Sequence, residues 1–269
     1  FMKTLFARLT AVAAIFTLLI FLFTACTKED KPAPAIPPAN SLIMDFTKFP
    51  ADEGKTTEEA ATKANFGYAA VNVGWWNTVL VVNLAIPVAA FLESFNHDAV
   101  YDVATEKWTW SYNFNAAGWH TARLEATMAA PDEVHWEMYI SKAGAFTNFL
   151  WFSGNSKTDN SMATWLLRKD PTAPTAFVAI EWHNNAAAGT SNIRYTNVAP
   201  GVDNGAYIEY GLTNNELNAF YNIYLINGDN LVNIEWNTNS KEGRVKNLAH
   251  FGNEDWHCWD TLLEDVVCE

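Results

Sequence analysis

Two short motifs combine glutamate with histidine, the residue types that carry out general acid–base chemistry. They are Glu-Trp-His at residues 181–183 and His-Trp-Glu at residues 135–137. Glu181 recurs as Glu235 in a second copy of the same strand motif, and two nearby carboxylates are what glycoside hydrolysis requires. Alternating glutamates are also ordinary on the solvated face of a sheet, and this motif recurs because its hairpin recurs. We therefore predict no catalytic residue, with glycan cleavage as the alternative.

Other catalytic signatures are absent from the sequence. It contains no G-x-S-x-G, H-E-x-x-H, P-loop or Gly-rich dinucleotide motif, so we predict no cofactor. The twelve tryptophans could contact a ligand, but most fall on the apolar side of alternating strands and are predicted to be core. The ones off that pattern are candidates for stacking on sugars: Trp119, Trp151, Trp256 and Trp259.

The elements that would position these residues are β-strands. Residues 107–114 alternate strictly between aromatic and polar side chains, and residues 122–128 and 133–140 alternate similarly. This period is typical of half-buried antiparallel strands. Residues 177–197 and 231–248 share a hydrophobic-Val-x-Ile-Glu-Trp strand, a turn with Asn and Gly, and a return strand. We predict a mainly β fold, an antiparallel meander of about ten strands forming an open curved sheet or an up-and-down barrel.

A long apolar run precedes the strands. No charged residue occurs between Lys63 and Glu93, a length that could cross a bilayer. Four Asn and an acidic downstream flank disfavour a membrane span, and the β-branched part of the run could instead be a buried strand. We favour a buried helix around residues 57–95, begun by a capping box at Thr56 and Glu59 and wrapped by the sheet.

Three asparagines form a stripe on this predicted helix. At helical spacing, Asn65, Asn72 and Asn83 fall within about 20° of one line. Buried amides without hydrogen-bond partners are costly, so the stripe should face a cleft, a ligand or solvent. The three residues are therefore candidate ligand-binding residues, with a solvent-facing seam as the alternative.

The N-terminus has the pattern of a bacterial export signal. Lys3 and Arg8 precede an unbroken apolar stretch at residues 11–23, as in signal peptides. The following FTAC, which ends at Cys26, resembles a lipobox, with Phe in place of the usual Leu at its first position. That resemblance implies a signal peptide at residues 1–25 and a lipidated Cys26 that attaches the protein to a membrane by acyl chains. An ordinary secretory signal is the alternative.

Residues 26–40 are predicted to be an extended, Pro- and Ala-rich tether. The KED sequence close to Cys26 resembles the export signal of surface lipoproteins in Bacteroidota-type bacteria. The resemblance implies an outer-membrane, lipid-anchored and surface-exposed protein, with the periplasmic face as the alternative. Residues 41–269 are then expected to form a single domain.

The remaining cysteines form an even pair. With Cys26 lipidated, Cys258 and Cys268 are left in an oxidising compartment, and we predict a disulfide that closes the tail at residues 249–269. His257 beside Cys258 could instead bind a metal, but two ligands without a second cluster are too few, so no metal is predicted.

Charge and architecture narrow the function classes. The formal net charge of −13 excludes nucleic-acid partners, which require clustered Lys and Arg. A curved sheet around an apolar helix resembles the LolA/LolB lipoprotein-carrier and lipocalin-like folds in architecture, without their motifs. The Trp-rich hairpins are similar to uncharacterised Bacteroidota lipoproteins.

Two hypotheses follow for the function. One is a non-enzymatic lipoprotein that binds or scaffolds, with a small apolar ligand. The other is a surface protein that binds or cleaves glycans. A row of exposed tryptophans would favour the glycan hypothesis, and buried tryptophans would favour the first. The oligomeric state cannot be read from the sequence.

Overall fold

The computed structural model describes residues 31–51 and 62–268. The chain divides into two compact units, residues 1–32 and 33–269, and the account below concerns the second. The predicted signal peptide, Cys26 and the predicted capping box at Thr56 and Glu59 lie outside the described residues.

The described chain forms one antiparallel sheet of fourteen strands, each hydrogen-bonded to its neighbours in sequence. Their bounds are β1 Val100–Asp102, β2 Lys107–Asn115, β3 Trp119–Ala130, β4 Glu133–Lys142, β5 Phe146–Lys157, β6 Met162–Asp170, β7 Ala173–Asn185, β8 Thr190–Asn197, β9 Tyr207–Leu212, β10 Ala219–Leu225, β11 Asn230–Trp236, β12 Gly243–Lys246, β13 His257–Trp259 and β14 Asp265–Val266.

The mainly β class and the meander order are confirmed, and the two end strands, β1 and β14, do not pair, so the sheet is not closed. The predicted count of ten strands is too low. The missing strands include β1, β13 and β14, which have two or three residues each. Such segments are too short to show an alternating pattern, and they form because a longer neighbour offers free backbone groups.

One face of the sheet, the inner face, buries a layer of aromatic side chains. Two rows across neighbouring strands place a glycine between two tryptophans: Trp136, Gly154 and Trp165 in β4–β6, and Trp236, Gly243 and Trp259 in β11–β13. A Cβ atom at Gly154 would lie 2.0 Å from the Thr164 carbonyl oxygen. The glycines therefore give the indole rings the space they occupy, a large–small–large packing that natural sheets use to fill a core.

A single long helix, α1 at Ala64–Ser94, crosses the inner face. Near its start, Phe66 packs edge-on against Trp259 of β13, with ring centroids 5.7 Å apart. Near its end, Phe91 packs against Trp165 of β6 at 5.6 Å, and the Tyr112 hydroxyl of β2 donates to the Ala90 carbonyl at 2.6 Å. The helix thus connects strands near both ends of the sheet.

The start of α1 is fixed by an aspartate of the last strand of the sheet. The two carboxylate oxygens of Asp265 in β14 accept hydrogen bonds from the backbone N–H groups of Ala64, at 3.1 Å, and Asn65, at 2.9 Å. Thr62 also donates its hydroxyl to Asp265. A carboxylate here satisfies otherwise unpaired N–H groups and opposes the positive end of the helix dipole. The helix begins at Ala64 rather than near residue 57, since Thr62 and Lys63 precede it in non-helical conformation.

A segment before the helix, residues 36–50, also packs on the inner face, and we call it the inner segment. The indole N–H of Trp165 donates to the Ser41 carbonyl at 3.0 Å, and that of Trp236 donates to the Lys48 carbonyl at 3.0 Å. Phe49 packs edge-on against Trp236 at 5.1 Å. Packing therefore begins at about Ile36, within the stretch predicted to be tether, because buried indole N–H groups need acceptors that this segment supplies.

The predicted wrapping of α1 is incomplete. Phe66, Leu80 and Phe91 on one side are at most 4% exposed, whereas Val71 and Val82 on the other are 73% and 72% exposed. The sheet therefore covers one side of a helix that is apolar on both. A short second helix, α2 at Leu248–Phe251, lies between β12 and β13.

Candidate functional site

Two apolar cavities lie where α1 meets the sheet and the inner segment. Both are lined by Leu80 of α1 and Tyr195 of β8. The first, which we call the indole cavity, has a volume of about 340 Å³ and contains the side chains of Trp75 and Trp76. The second, the segment cavity, has a volume of about 560 Å³ and is lined by the inner segment. Both volumes are in the range of small-molecule sites.

The indole cavity has apolar walls and a polar rim. Phe177 and Val178 of β7 face Val79 of α1 across it, with the remaining lining residues being Thr196, Asn197, Asp203, Ala206, Leu225 and Asn227. The polar lining residues come from the end of β8 and from the loops after β8 and β10. A polar rim around an apolar interior suits a ligand that buries a hydrocarbon part and leaves a polar end near solvent.

Trp76 gives this cavity its one unsatisfied buried donor group. Its side chain is 7% exposed, and the indole nitrogen Nε1 has no hydrogen-bond partner among the described residues. Leaving a buried donor unpaired costs about 1–3 kcal/mol. Trp136, Trp165, Trp236 and Trp259 all donate to an oxygen. The nitrogen itself has almost no accessible surface, so an acceptor atom on a bound molecule would remove this cost only after the side chains around Trp76 shift.

The segment cavity is formed by the inner segment and α1. Ile43, Met44 and Phe46 face Leu84 and Val88, and its further lining residues are Asp45, Thr47, Asn77, Val81 and Ala85. Asp45 accepts hydrogen bonds from the backbone N–H of Thr47, at 2.9 Å, and from its hydroxyl, at 2.6 Å. The carboxylate is therefore used in the local turn, and the rest of the wall is mostly hydrocarbon.

Tyr195, between the two cavities, has a structural role. Its hydroxyl donates to the Leu42 carbonyl at 2.5 Å and accepts from the Met44 N–H at 2.9 Å. Burial raises the pKa of this hydroxyl well above its usual value, so it stays protonated at neutral pH. Tyr195 thus holds the inner segment against the sheet, and both of its hydrogen-bonding directions are already taken.

The predicted asparagine stripe does not line either cavity. Asn72 and Asn83 donate to the carbonyls of Tyr68 and Val79, one turn earlier in the helix. Asn65 donates to the Cys258 carbonyl at 2.9 Å and helps to attach α1 to β13. Their ligand role therefore stays a prediction, whereas Asn77, which was not in the stripe, does line the segment cavity.

The predicted carboxylate pair is separated in the sheet. Glu181 is on β7 and Glu235 on β11, with three strands between them, so they lie roughly 19 Å apart by strand spacing. Glu181 contacts His183 at 3.0 Å, and Glu235 forms an ion pair with Arg244 at 2.6 Å. Glycosidase carboxylates lie within about 10 Å of each other, so these two residues are not such a pair.

The outer face of the sheet carries a depression larger than either cavity. It has a volume of about 820 Å³, lies beside the β5–β6 and β7–β8 turns, and is lined mainly by amide and hydroxyl side chains such as Asn184, Asn185 and Asn192. Phe220 is its only aromatic lining residue among the described residues. It offers hydrogen bonds but no indole platform for a sugar ring.

The tryptophans are mostly in the core. Nine of the twelve are buried, including Trp151 and Trp259, which were candidates for sugar contacts. Trp256 lies half-buried under Arg244, whose guanidinium is 4.3 Å from the ring centroid. Only Trp75 and Trp119 are largely exposed, at 57% and 70%. Trp75 is on α1 and Trp119 at the β2–β3 turn, so they do not form the row that would favour glycan binding.

The tail contains a disulfide. Cys258 and Cys268 are joined, with their Cα atoms 5.3 Å apart. The neighbouring His257 contacts the Asn253 side chain at 3.2 Å. No group of three His, Cys, Asp or Glu side chains able to hold a metal occurs among residues 31–51 and 62–268.

Comparisons with known proteins give no relative. No protein-family model, curated protein or solved structure is significantly similar to the chain. Within the described residues, α1 is the one helix long and apolar enough to cross a bilayer, and an 18-residue stretch of it has a mean hydropathy of 1.7. The core helix of a soluble protein meets the same criterion, and one side of α1 is packed against the sheet.

Proposed function

We propose that this chain is a non-enzymatic, lipid-anchored lipoprotein of a bacterial outer membrane whose folded domain binds a small apolar ligand between α1 and the sheet. The apolar cavity between α1 and the sheet is the observation that carries the proposal. Trp76 lines it, and the buried indole N–H of that residue has no partner among the described residues. The ligand class this favours has a hydrocarbon body and one hydrogen-bond acceptor, which would reach the N–H once the side chains around it shift.

The location of the cavities supports the same reading. Leu80 and Tyr195 line both of them, so the two cavities are adjacent along the inward side of α1. The buried tryptophans favour this function over glycan binding, since they leave few indole faces for sugars.

Ligand binding is tested with a fatty acid that carries an environment-sensitive fluorophore, titrated into the compact unit from Ala33 to Glu269. Val79→Trp should fill the indole cavity and weaken binding at least about ten-fold, since the lost contacts are worth more than roughly 1.4 kcal/mol. Val71→Trp adds the same bulk on the exposed side of α1 and should leave binding unchanged. If both variants changed binding equally and their circular dichroism were unchanged, the ligand would not bind in the indole cavity.

The role of the indole N–H is tested separately with Trp76→Phe. This change keeps an aromatic ring and removes the donor, so it should weaken binding of the fatty acid by about five- to ten-fold. Binding of a matched probe without the carboxyl group should not change. A wild-type protein that binds neither probe but binds oligosaccharides saturably would favour the glycan hypothesis.

Membrane anchoring rests on the FTAC sequence and is tested in cells. Cys26→Ala should release the cleaved protein from the membrane fraction or leave the precursor unprocessed, because the acyl chains would have no attachment site. Fractionation and mass spectrometry of the N-terminus measure both outcomes. Membrane retention of a normally cleaved Cys26→Ala protein would contradict the lipid anchor.

A further inference from the structure

The outward side of α1 carries a continuous row of uncharged side chains, which we call the outer seam. Its members are spaced alternately by four and three residues, the repeat by which one helix packs along another. They are Val71, Trp75, Thr78, Val82, Ala85, Ala89 and Leu92.

The outer seam is open to solvent. Val71, Val82 and Trp75 are 73%, 72% and 57% exposed, and Leu92 is 44% exposed. The Thr78 hydroxyl donates to the Gly74 carbonyl at 2.9 Å, so the one polar member satisfies its hydrogen bond within the helix. Nothing in the described part of the chain covers these five side chains, whereas Ala89 is partly buried against the core.

Its area matches what a protein partner would bury. The exposed apolar side chains of the row and the adjoining Val81 present roughly 500 Å², at the upper end for the largest patch of a monomer. Two copies joined at this surface would bury roughly 1,000 Å² from these side chains alone. That is about the 1,000 Å² that a biological interface should clear.

The composition of the seam favours a second helix over a membrane surface. Membrane-surface helices have bulky apolar residues on one side and Lys or Arg on the other. Within Ala64–Ser94 there is no Lys or Arg, and the second half of the seam has Ala85 and Ala89, small residues that let two helix backbones approach closely. The uncharged row also avoids repulsion between two chains of net charge −13.

We propose that α1 pairs with α1 of a second copy of this chain, antiparallel, with Val82 at the two-fold axis. In this register each large residue meets a small one or one of complementary size. Trp75 lies directly opposite Ala89 of the second copy, and Thr78 and Val71 lie within one residue of the levels of Ala85 and Leu92. A parallel pair would instead place Trp75 against Trp75 and Ala89 against Ala89, which leaves an overfilled and an empty layer.

The pairing also reaches the cavities. Trp75 lines the indole cavity and Val81 lines the segment cavity, so the second copy would lie beside both. The inference is independent of ligand binding, because the seam is defined by the outward side chains whether or not the cavities are occupied.

The test is disulfide cross-linking of the full chain in the bacterial envelope. Val82→Cys should give a covalent dimer on a non-reducing gel, since residues at a two-fold axis can come within the roughly 7 Å that a disulfide requires. Asn83→Cys is the matched control, exposed but rotated off the seam, and should give about ten-fold less dimer by the same distance criterion. The chain without either substitution is the control for any intermolecular disulfide formed by Cys26.

The register is tested by co-expressing two single variants. Trp75→Cys and Ala89→Cys should cross-link to each other, and neither should cross-link with itself, because antiparallel pairing places them opposite one another. Self-cross-linking of Trp75→Cys would overturn the antiparallel arrangement. Absence of a Val82→Cys dimer, or equal dimer from Asn83→Cys, would overturn the pairing. A membrane-binding role of the seam would give a different pair of results. Val82→Cys would stay monomeric, and Val82→Asp would lose binding to phosphatidylethanolamine vesicles.

Discussion

The two sides of α1 differ in environment much more than in composition. Trp75 and Trp76 are neighbours with ring centroids 5.2 Å apart, yet one is 57% exposed and the other 7%. Apart from Glu93 in the last turn, neither side carries a charge. The inward side is covered because its rings and branched side chains match the tryptophan–glycine rows of the sheet, while the outward side has no complementary surface in the described chain. Hydrophobicity alone therefore does not decide which side of α1 is buried. The side whose shape fits the inner face of the sheet is the buried one.

The largest expected effect is a charge on the inward side. Leu80→Asp would place an unpaired carboxylate at a position 4% exposed, between two apolar cavities. The cost of several kcal/mol is a large part of a domain's net stability, so cooperative thermal unfolding should be lost. Val81→Asp, at the next residue and 62% exposed, should keep it. Equal loss in both variants would mean that both sides of α1 are buried.

The tryptophan pair gives the next largest difference. Trp76→Ala removes a buried ring and should lower the free energy of unfolding by about 3–5 kcal/mol. Trp75→Ala should change it by less than about 1 kcal/mol, because exposed side chains contribute little. Chemical denaturation of the two variants measures both values. A larger loss from Trp75→Ala in a monomeric protein would reverse the assignment of the two sides.

An intermediate effect is expected at the start of α1, where a carboxylate of β14 holds the helix in position. Asp265→Ala removes the carboxylate that accepts from Ala64 and Asn65 and should cost about 1–2 kcal/mol. Asp255→Ala removes an equal charge from the same tail and is the control. The amides of the first turn of α1 should exchange hydrogen faster in Asp265→Ala alone. Unchanged exchange would show that the disulfide-closed tail positions the helix without this carboxylate.

The smallest effect is expected within the asparagine stripe. Asn83→Ala removes an exposed amide that bonds only its own helix, and alanine has the higher helix propensity, so stability should change by less than about 0.5 kcal/mol. Asn65→Ala should cost more, because it breaks the bond to Cys258. Thermal unfolding of both variants compares them. A clear loss from Asn83→Ala would show that the stripe has a contact outside the described residues.

The sequence predicts the long strands well because each carries its own signal. In β2, Trp108, Trp110 and Tyr112 alternate with polar residues, and the burial follows that pattern. The helix could be predicted from the length of its apolar run, but its buried side could not, because no charge marks the exposed side. For the same reason Asn77 at a cavity could not be distinguished from Asn83 in solvent.

Contacts between distant residues are what the sequence did not reveal. Asp265 caps a helix that begins two hundred positions earlier, and no local pattern marks it as a cap. The inner segment contains few periodic residues, and its place on the sheet depends on the acceptors it offers to Trp165 and Trp236. The lack of a hydrogen-bond partner for the Trp76 N–H is likewise a property of the folded structure, because it depends on which distant residues surround the indole ring.

The attachment of α1 to β14 has a consequence for the order in which the protein can be completed. Every strand pairs with the strand made just before it, so the sheet can grow from β1 onward as the chain emerges, through contacts of low sequence separation. The helix is synthesised before the first strand, yet its N-terminal acceptor, Asp265, is made about two hundred residues later. Until residue 265 has been synthesised, α1 has no fixed start and its inward side is only partly covered. That interval is when a holding chaperone would have most to bind, and truncation of the chain before Asp265 would prolong it indefinitely.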